Sequence, residues 1–408
     1  MKKIVVIGGG TAGWLTAIFA KFMFSENVTV ISSSAIDILG AGEGSTPNLM
    51  GMLKNFKIDI DDFIAKTGAS IKAGITFENW DPSMGGSFDH LFNLDGEQKY
   101  GIHFNARKTA DYLENYAVSV GIKKIDKIVK TFINDNNGDI VSITMDDDTK
   151  IDSDFIFDCT GFQRLVIGKH YNSEWISYSD KLICNKAFGF FLPQTNNVTK
   201  KSIMKTKAIA MKNGWMWGIP LQNRFGCGYS FSDQFTTVEE AKKEAEAYLN
   251  REIEIVKVFD FSPGSFKETW INNTIALGLS SGFVEPLEAT SIMGLIISLD
   301  KLNKYNIFEK NKENIEDYNR FVISNSEQIV TFLMHHYNCG RNDSPFWEKI
   351  NQIELPEVLK KIRSEQPFEK TVFESFFNVK NDKLIFGEKN YTTVTGGHKS
   401  KKIEKTLI

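Results

Sequence analysis

Apolar side chains open the chain in an unbroken run. Residues 2–7, "KKIVVI", carry four β-branched residues in succession. A strand apolar on both faces must be covered on both, so the run predicts a buried parallel strand. "GGGTAG" follows, then "WLTAIFAKFM", whose apolar positions recur at helical spacing. "NVTVIS" at 27–32 predicts a second strand, giving a β-α-β opening. More strands are expected around 125–160, in "KIVKTFIND", "DIVSITMDD" and "DSDFIFDCTG". The Asn, Asp and Gly content of "NDNNGD" at 134–139 marks a hairpin turn. Residues 236–250 predict a polar helix, with Thr at its start and acids in its first turn. Residues 314–337 predict a long amphipathic helix with Ile315, Tyr318, Phe321, Val322, Ile329, Val330 and Leu333 near one stripe. The tail from residue 388 is polar, Gly-containing and Lys-rich, and is expected to be loosely ordered.

At 408 residues the chain is long for one core and suggests two lobes or one large domain with excursions. A net charge of −3 supplies no field to recruit nucleic acid or an anionic membrane. No apolar run is long enough to span a bilayer, and glycines interrupt the first one where a secretory signal needs a longer core. A cytoplasmic protein is expected. Cys159, Cys184, Cys227 and Cys339 are scattered, which predicts reduced core thiols and no disulfide framework. The adjacent His335 and His336 point about 100° apart on a helix, a poor metal pair, and no metal is expected. The abundant Phe means large core side chains first, and an aromatic pocket second.

Gly8, Gly10 and Gly13 make G-x-G-x-x-G between the first predicted strand and helix. The first glycine permits the tight turn, the second lets backbone approach a pyrophosphate, and the third lets helix pack on strand. The helix N-terminus then offers N–H groups to the anion. The other reading is a glycine-rich turn in a non-binding α/β domain. An acid for the ribose usually ends the second strand, but here stand Ser32, Ser33 and Ser34, which weakens the case for NAD. FAD suits better, because "FDCTGF" (157–162) and "TIALGLSSGF" (274–283) recur much later, each an apolar strand ending in Gly. The expected fold is α/β: an FAD-dependent oxidoreductase fold with a Rossmann-like βαβ dinucleotide-binding module and a mainly helical C-terminal part covering substrate. The expected parts are a discontinuous FAD-binding and oxidant module over 1–310, a helical part over 311–387, and the tail 388–408.

"GWMWGIP" at 214–220 holds two of the seven tryptophans. A plain strand core is one explanation. Dispersed motifs over residues 1–347 add another, since together they resemble the flavin-dependent halogenases. These are "GGGTAGW" (8–14), "GAGEGSTP" (40–47), "KAGITFENW" (72–80), "DCTGF" (158–162), the W-x-W-x-I-P inside "GWMWGIP", "GFVEPLEATS" (282–291) and "DSPFW" (343–347).

The resemblance implies FAD held by Gly8, Gly10, Thr11, Ala12, Gly13, Trp14, Gly42, Glu43, Gly282 and Ile292. It implies a wall of two stacked indoles, Trp215 and Trp217, backed by Ile219 and Pro220, that keeps organic substrate from the flavin. A separate flavin reductase would supply reduced FAD. With O₂ and halide, hypohalous acid forms and migrates to a second site, where an electron-rich aromatic, of indole or phenol type, is halogenated. Lys72 would bind the oxidant or carry it as a haloamine, and Glu288 would stabilise the cationic intermediate and help remove its proton. The blander readings are a surface lysine and a helix-start acid. Thr290 and Ser291 would hold halide.

Two positions depart from the family. Ser291 stands where Gly is usual, removing freedom at φ > 0 and adding a Cβ, which suggests bromide or iodide over chloride. The segment between Trp80 and "KYGIHFNA" (99–106) is short, which suggests a less enclosed site, a broad substrate range and a substrate other than free tryptophan. His103 and Phe104 border the substrate site or fill the core. A homo-oligomer is compatible with the pattern. The rival functions are a single-component flavin monooxygenase hydroxylating an aromatic, and a flavin-binding protein without catalysis.

Overall fold

The computed structural model describes residues 2–24, 27–38, 43–94, 97–193, 204–364, 377 and 384–399. The apolar opening run is the strand Lys3–Ile7, paired in parallel with Asn27–Ser32 on one side and Phe155–Asp158 on the other. The intervening helix Thr11–Phe24 buries Trp14, Leu15 and Ile18 completely. Lys123–Asp126 extends one edge of the sheet, and Thr274–Ala276 then Trp270–Ile271 extend the other, to six strands. The sheet thus gathers distant parts of the chain, as the recurring strand-Gly segments predicted. The turn at 134–139 joins Val129–Asn134 to Ile140–Met145. There the Asp135 carboxylate accepts from the backbone N–H groups of Asn137 and Asp139, the local bonding that suits Asp to turns.

A second sheet runs in the order Ile255–Asp260, Lys186–Pro193, Arg224–Phe231, Gly214–Pro220, Lys205–Ala210, Gly74–Glu78, Ser87–Leu91. Its pairs are antiparallel except Lys205–Ala210 with Gly74–Glu78. "GWMWGIP" lies wholly in the fully buried strand Gly214–Pro220. Alternation sends Met216 into one core, with Phe188 and Tyr229, and sends Trp215, Trp217 and Ile219 into another. The predicted polar helix, Val238–Leu249, packs Ala241 and Ala245 on the Met216 face and starts with a Thr237–Glu240 capping box.

The long helix runs Lys312–Tyr337, slightly earlier than predicted because the Asn311 side chain accepts from the N–H groups of Glu313 and Asn314. Its Phe332, Leu333 and Tyr337 share one core with Trp80, Trp215 and Trp217. The expected boundary near 310 therefore falls where packing is continuous. The expectation of a loose tail is corrected over Glu388–Gly397, which is a helix. Tyr391 and Val394 sit three apart on one face, both buried, and that pair outweighs the polar composition. Residues 400–408 lie outside the described residues. All four cysteines are buried free thiols. Among the described residues no helix is long and apolar enough to cross a membrane.

Candidate active site

A cavity of about 810 Å³ is lined by residues of both sheets. It reaches from Gly8, Gly10, Thr11 and Ala12 to Trp215, Trp217, Lys72 and Glu288. Gly8 has φ +124°, and a Cβ there would lie 2.2 Å from the Cys159 carbonyl oxygen. A Cβ on Gly13 would lie 1.9 Å from the Gly8 carbonyl oxygen, whereas Gly10 meets nothing within 4 Å. Two glycines thus serve close packing and the third leaves backbone open beside a helix N-terminus, which fits a dinucleotide pyrophosphate. Glu43 and Ile292 also line the cavity. Glu43 Oε2 is buried without a partner, and burial pushes its carboxyl up to about 7. Three expected cofactor residues are not brought to the cavity. Trp14 turns into the core beneath the sheet, Gly13 packs on Gly8, and Gly282 pairs in a short strand against Ser265. Gly42 lies outside the described residues.

Trp215 and Trp217 have ring centroids 5.7 Å apart and planes inclined by 52°, so they are tilted and not stacked as expected. Opposite Trp217 in the ladder stands Gly228, where a Cβ would come 2.1 Å from the indole. That missing side chain leaves room for the ring against the neighbouring strand. Ile219 lines the cavity but Pro220 does not; the Pro220 carbonyl accepts from the Ser70 hydroxyl at 2.6 Å.

Lys72 ends the strand Ser70–Lys72 and is 1% exposed. Burial lowers its ammonium pKa to about 8, against the Glu288 charge that raises it. A Cβ on Gly44 would approach Nζ to 2.9 Å, so the absence of a side chain there makes room for the amine. Glu288 is buried, and its Oε1 lies 2.7 Å from His90 Nδ1 and 3.0 Å from His336 Nε2. The proton positions follow from the neighbours. Asn390 Oδ1 accepts from the Gly387 N–H, so its Nδ2 donates to His90 Nε2, which leaves His90 Nδ1–H to donate to Glu288. His336 Nδ1 lies 2.8 Å from the Phe332 carbonyl oxygen. Both ring nitrogens of His336 thus face oxygen atoms, one of a carboxylate and one of a backbone carbonyl. Burial would raise the Glu288 pKa, but the bonds that His336 and His90 donate to its carboxylate hold it well below the carboxylate range.

Glu288 and Ala289 both have positive φ, 66° and 56°, just before the helix Thr290–Leu302. Ser291 belongs to that helix, so the expected loss of φ > 0 freedom does not arise there; the left-handed turn is made one step earlier, by non-glycine residues. Ser291 lines the cavity, whereas Thr290 is buried with its hydroxyl unpartnered. His103 is buried, with Nε2 2.9 Å from Thr206 Oγ1; burial, then the Lys72 charge, presses its pKa well below the usual value. Phe104 is in the core of the first sheet. Neither residue lines the cavity.

Sequence reading missed three residues at this site: His90, His336 and Asn390. His90 lay in a segment weighed only for its length, His336 was judged only as a metal ligand, and Asn390 fell in the supposed tail. Only His336, in the apolar stretch "IVTFLMHHY", carried a signal; His90 in "SFDHL" and Asn390 in "EKNYTTVTGG" sit among other polar residues and carried none.

A family model described as "Tryptophan halogenase" matches residues 3–99 and 93–406. Protein y4xG of Sinorhizobium fredii (strain NBRC 101917 / NGR234) is 30% identical over 424 residues, covering 89% of this chain and 82% of its own length. Tryptophan 7-halogenase RebH of Lentzea aerocolonigenes is 28% identical over 427 residues, covering 88% of this chain and 80% of its own. Among solved structures, Tar14, a tryptophan C-6 flavin-dependent halogenase (chlorinase) from taromycin biosynthesis, superposes with a TM-score of 0.88 at 25% identity. That match covers 98% of this chain and 90% of Tar14.

Proposed function

The chain belongs to the tryptophan halogenase family, flavin-dependent enzymes that halogenate aromatic substrates, and on that premise we propose a cytoplasmic enzyme that makes hypohalous acid and transfers its halogen to an indole- or phenol-type ring. The observation that carries the reading is one buried amine and one buried carboxylate, Lys72 and Glu288, on the same cavity as the glycine turn and the paired indoles. Reduced FAD from a separate reductase would supply the electrons by which O₂ and halide become that oxidant.

The chain's own residues then act in order. Gly8 to Ala12 and the following helix N-terminus hold the pyrophosphate. Trp215, Trp217 and Ile219 exclude the aromatic substrate from the cofactor end, since two large rings locked in a sheet cannot step aside. Backbone N–H groups at Thr290 and Ser291 hold the halide. Lys72, with a pKa near 8, presents an ammonium at neutral pH that hydrogen-bonds the oxidant's oxygen and orients its halogen. As the ring carbon takes the halogen, the departing oxygen keeps the electron pair and takes a proton from Lys72, leaving as water. Glu288, ionised, stabilises the ring cation and accepts its proton. A carboxylate held this far down is a weak base, but the ring cation is a strong acid, so the transfer is downhill.

Bromide or iodide is the proposed preference, because they are easier to oxidise and the Ser291 side chain stands at the helix start. The short segment after Trp80 supports a substrate range wider than tryptophan. The test is incubation with reduced FAD, O₂ and each halide against phenols and indoles, read by mass spectrometry. Halide-independent hydroxylation would make the protein a monooxygenase, and no product from any pair would leave a flavin-binding protein. Equal chloride and bromide turnover in competition would remove the halide preference.

A further inference from the structure

We propose that Glu285 is a positioning residue that fixes the Trp215 indole in the wall; the inference rests on the reading that this wall parts cofactor from substrate. Glu285 is fully buried and does not line the cavity, although Pro286, Leu287 and Glu288 after it do. Its Oε2 accepts from the Trp215 Nε1–H at 3.4 Å and from the Tyr337 hydroxyl at 3.0 Å. The same hydroxyl lies 3.3 Å from Cys184 Sγ. Turning the indole away would strand its N–H in an apolar core and leave the carboxyl short of a donor, so the ring has one favoured setting.

The arrangement also links wall and acid. Glu285 bonds Tyr337 while Glu288 bonds His336, the residue before it. One loop therefore grips two consecutive residues at the end of the long helix, and the indole and the Glu288 carboxylate are set by one fixture. Packing alone would be met by a leucine. A buried acid adds directional acceptance, and only that property distinguishes the two side chains here.

The experiment compares Glu285→Gln, which keeps an acceptor oxygen, with Glu285→Leu, which keeps only bulk. The first readout is the ¹⁵N-indole spectrum of the whole protein, whose 7 tryptophans give one resonance each, Trp215 being assigned by its loss in Trp215→Phe. The second is halogenated product formed per reduced flavin consumed. Glu285→Leu shifts the Trp215 indole resonance, speeds its solvent exchange and lowers coupling about 10-fold, while Glu285→Gln stays within about 3-fold of wild type, the scale expected for a slightly misplaced positioning group. An unmoved Trp215 resonance in Glu285→Leu, or equal damage from both substitutions, overturns the proposal. Should Glu285→Leu not fold, Trp215→Phe removes the same bond from the other side, and wild-type coupling in that variant overturns it too. A wild-type protein that halogenates nothing defeats the function reading, whereas the indole spectrum still decides the role of Glu285.

Discussion

Lys72 meets opposite demands from folding and chemistry. Burial lowers its pKa from 10.5 to about 8, a shift equivalent to about 3 kcal/mol against the folded state. A folded pKa below the unfolded one means the unfolded chain binds the extra proton between about 8 and 10.5. Stability from this group therefore rises with pH across that window, and its full cost is present below it. Lys72→Met should melt higher than wild type at pH 7, with the gap closing as pH rises through the window, while halogenation falls at least about 100-fold. Calorimetry across pH and product assays check both halves. If the ammonium is the working form, wild-type transfer from supplied hypohalous acid declines as pH passes about 8; a rise there would assign the haloamine instead. The residue was legible by its motif. Its burial was suggested only by the apolar and small neighbours in "SIKAGI", since a strand of three residues is too short for periodicity to show which face is covered.

At the scale of elements, two local devices shape the site. In the wall strand, Trp217 lies across Gly228. Gly228→Ala puts a methyl where the indole sits, and overpacking of this kind costs about 1–3 kcal/mol. The expected result is a lower melting temperature with poorer coupling of flavin oxidation to product; unchanged values of both would show that the ring yields freely. In the loop before Thr290–Leu302, the positive φ of Glu288 presents its carboxylate to two histidines from different elements, one on an edge strand and one on the long helix. His336→Phe removes one donor and is expected to lower aromatic transfer about 10- to 100-fold while leaving hypohalous acid formation intact, as measured by trapping the oxidant in solution. Elements with a strong period or a turn signature were readable: the β-α-β opening, the hairpin and the capped helices. The histidine pair was not, because its partners are far apart in sequence and meet only when an edge strand closes on a helix.

For the molecule as a whole, the helix Glu388–Gly397 decides how the acid is reached. It packs on the long helix and on the edge strand Ser87–Leu91, so it lies over the histidines that hold Glu288. Asn390 bonds His90, Tyr391 packs at 5.0 Å on Phe332, and Phe386 stacks on that same ring at 4.0 Å. None of these residues lines the cavity shared with the glycine turn. The helix therefore covers the chemistry from the side away from the cofactor, and its loss should separate the two functions of the fold. Tyr391→Ala removes a fully buried ring, for which about 3 kcal/mol is the expected loss of stability. Below the melting range of that variant, flavin affinity measured by fluorescence quenching should stay within about 2-fold of wild type, because the pyrophosphate turn belongs to a different core. Aromatic transfer should fall, with more hypohalous acid escaping to solution. Parallel loss of flavin affinity and transfer would mean that the helix supports the whole molecule and not the acid's side alone.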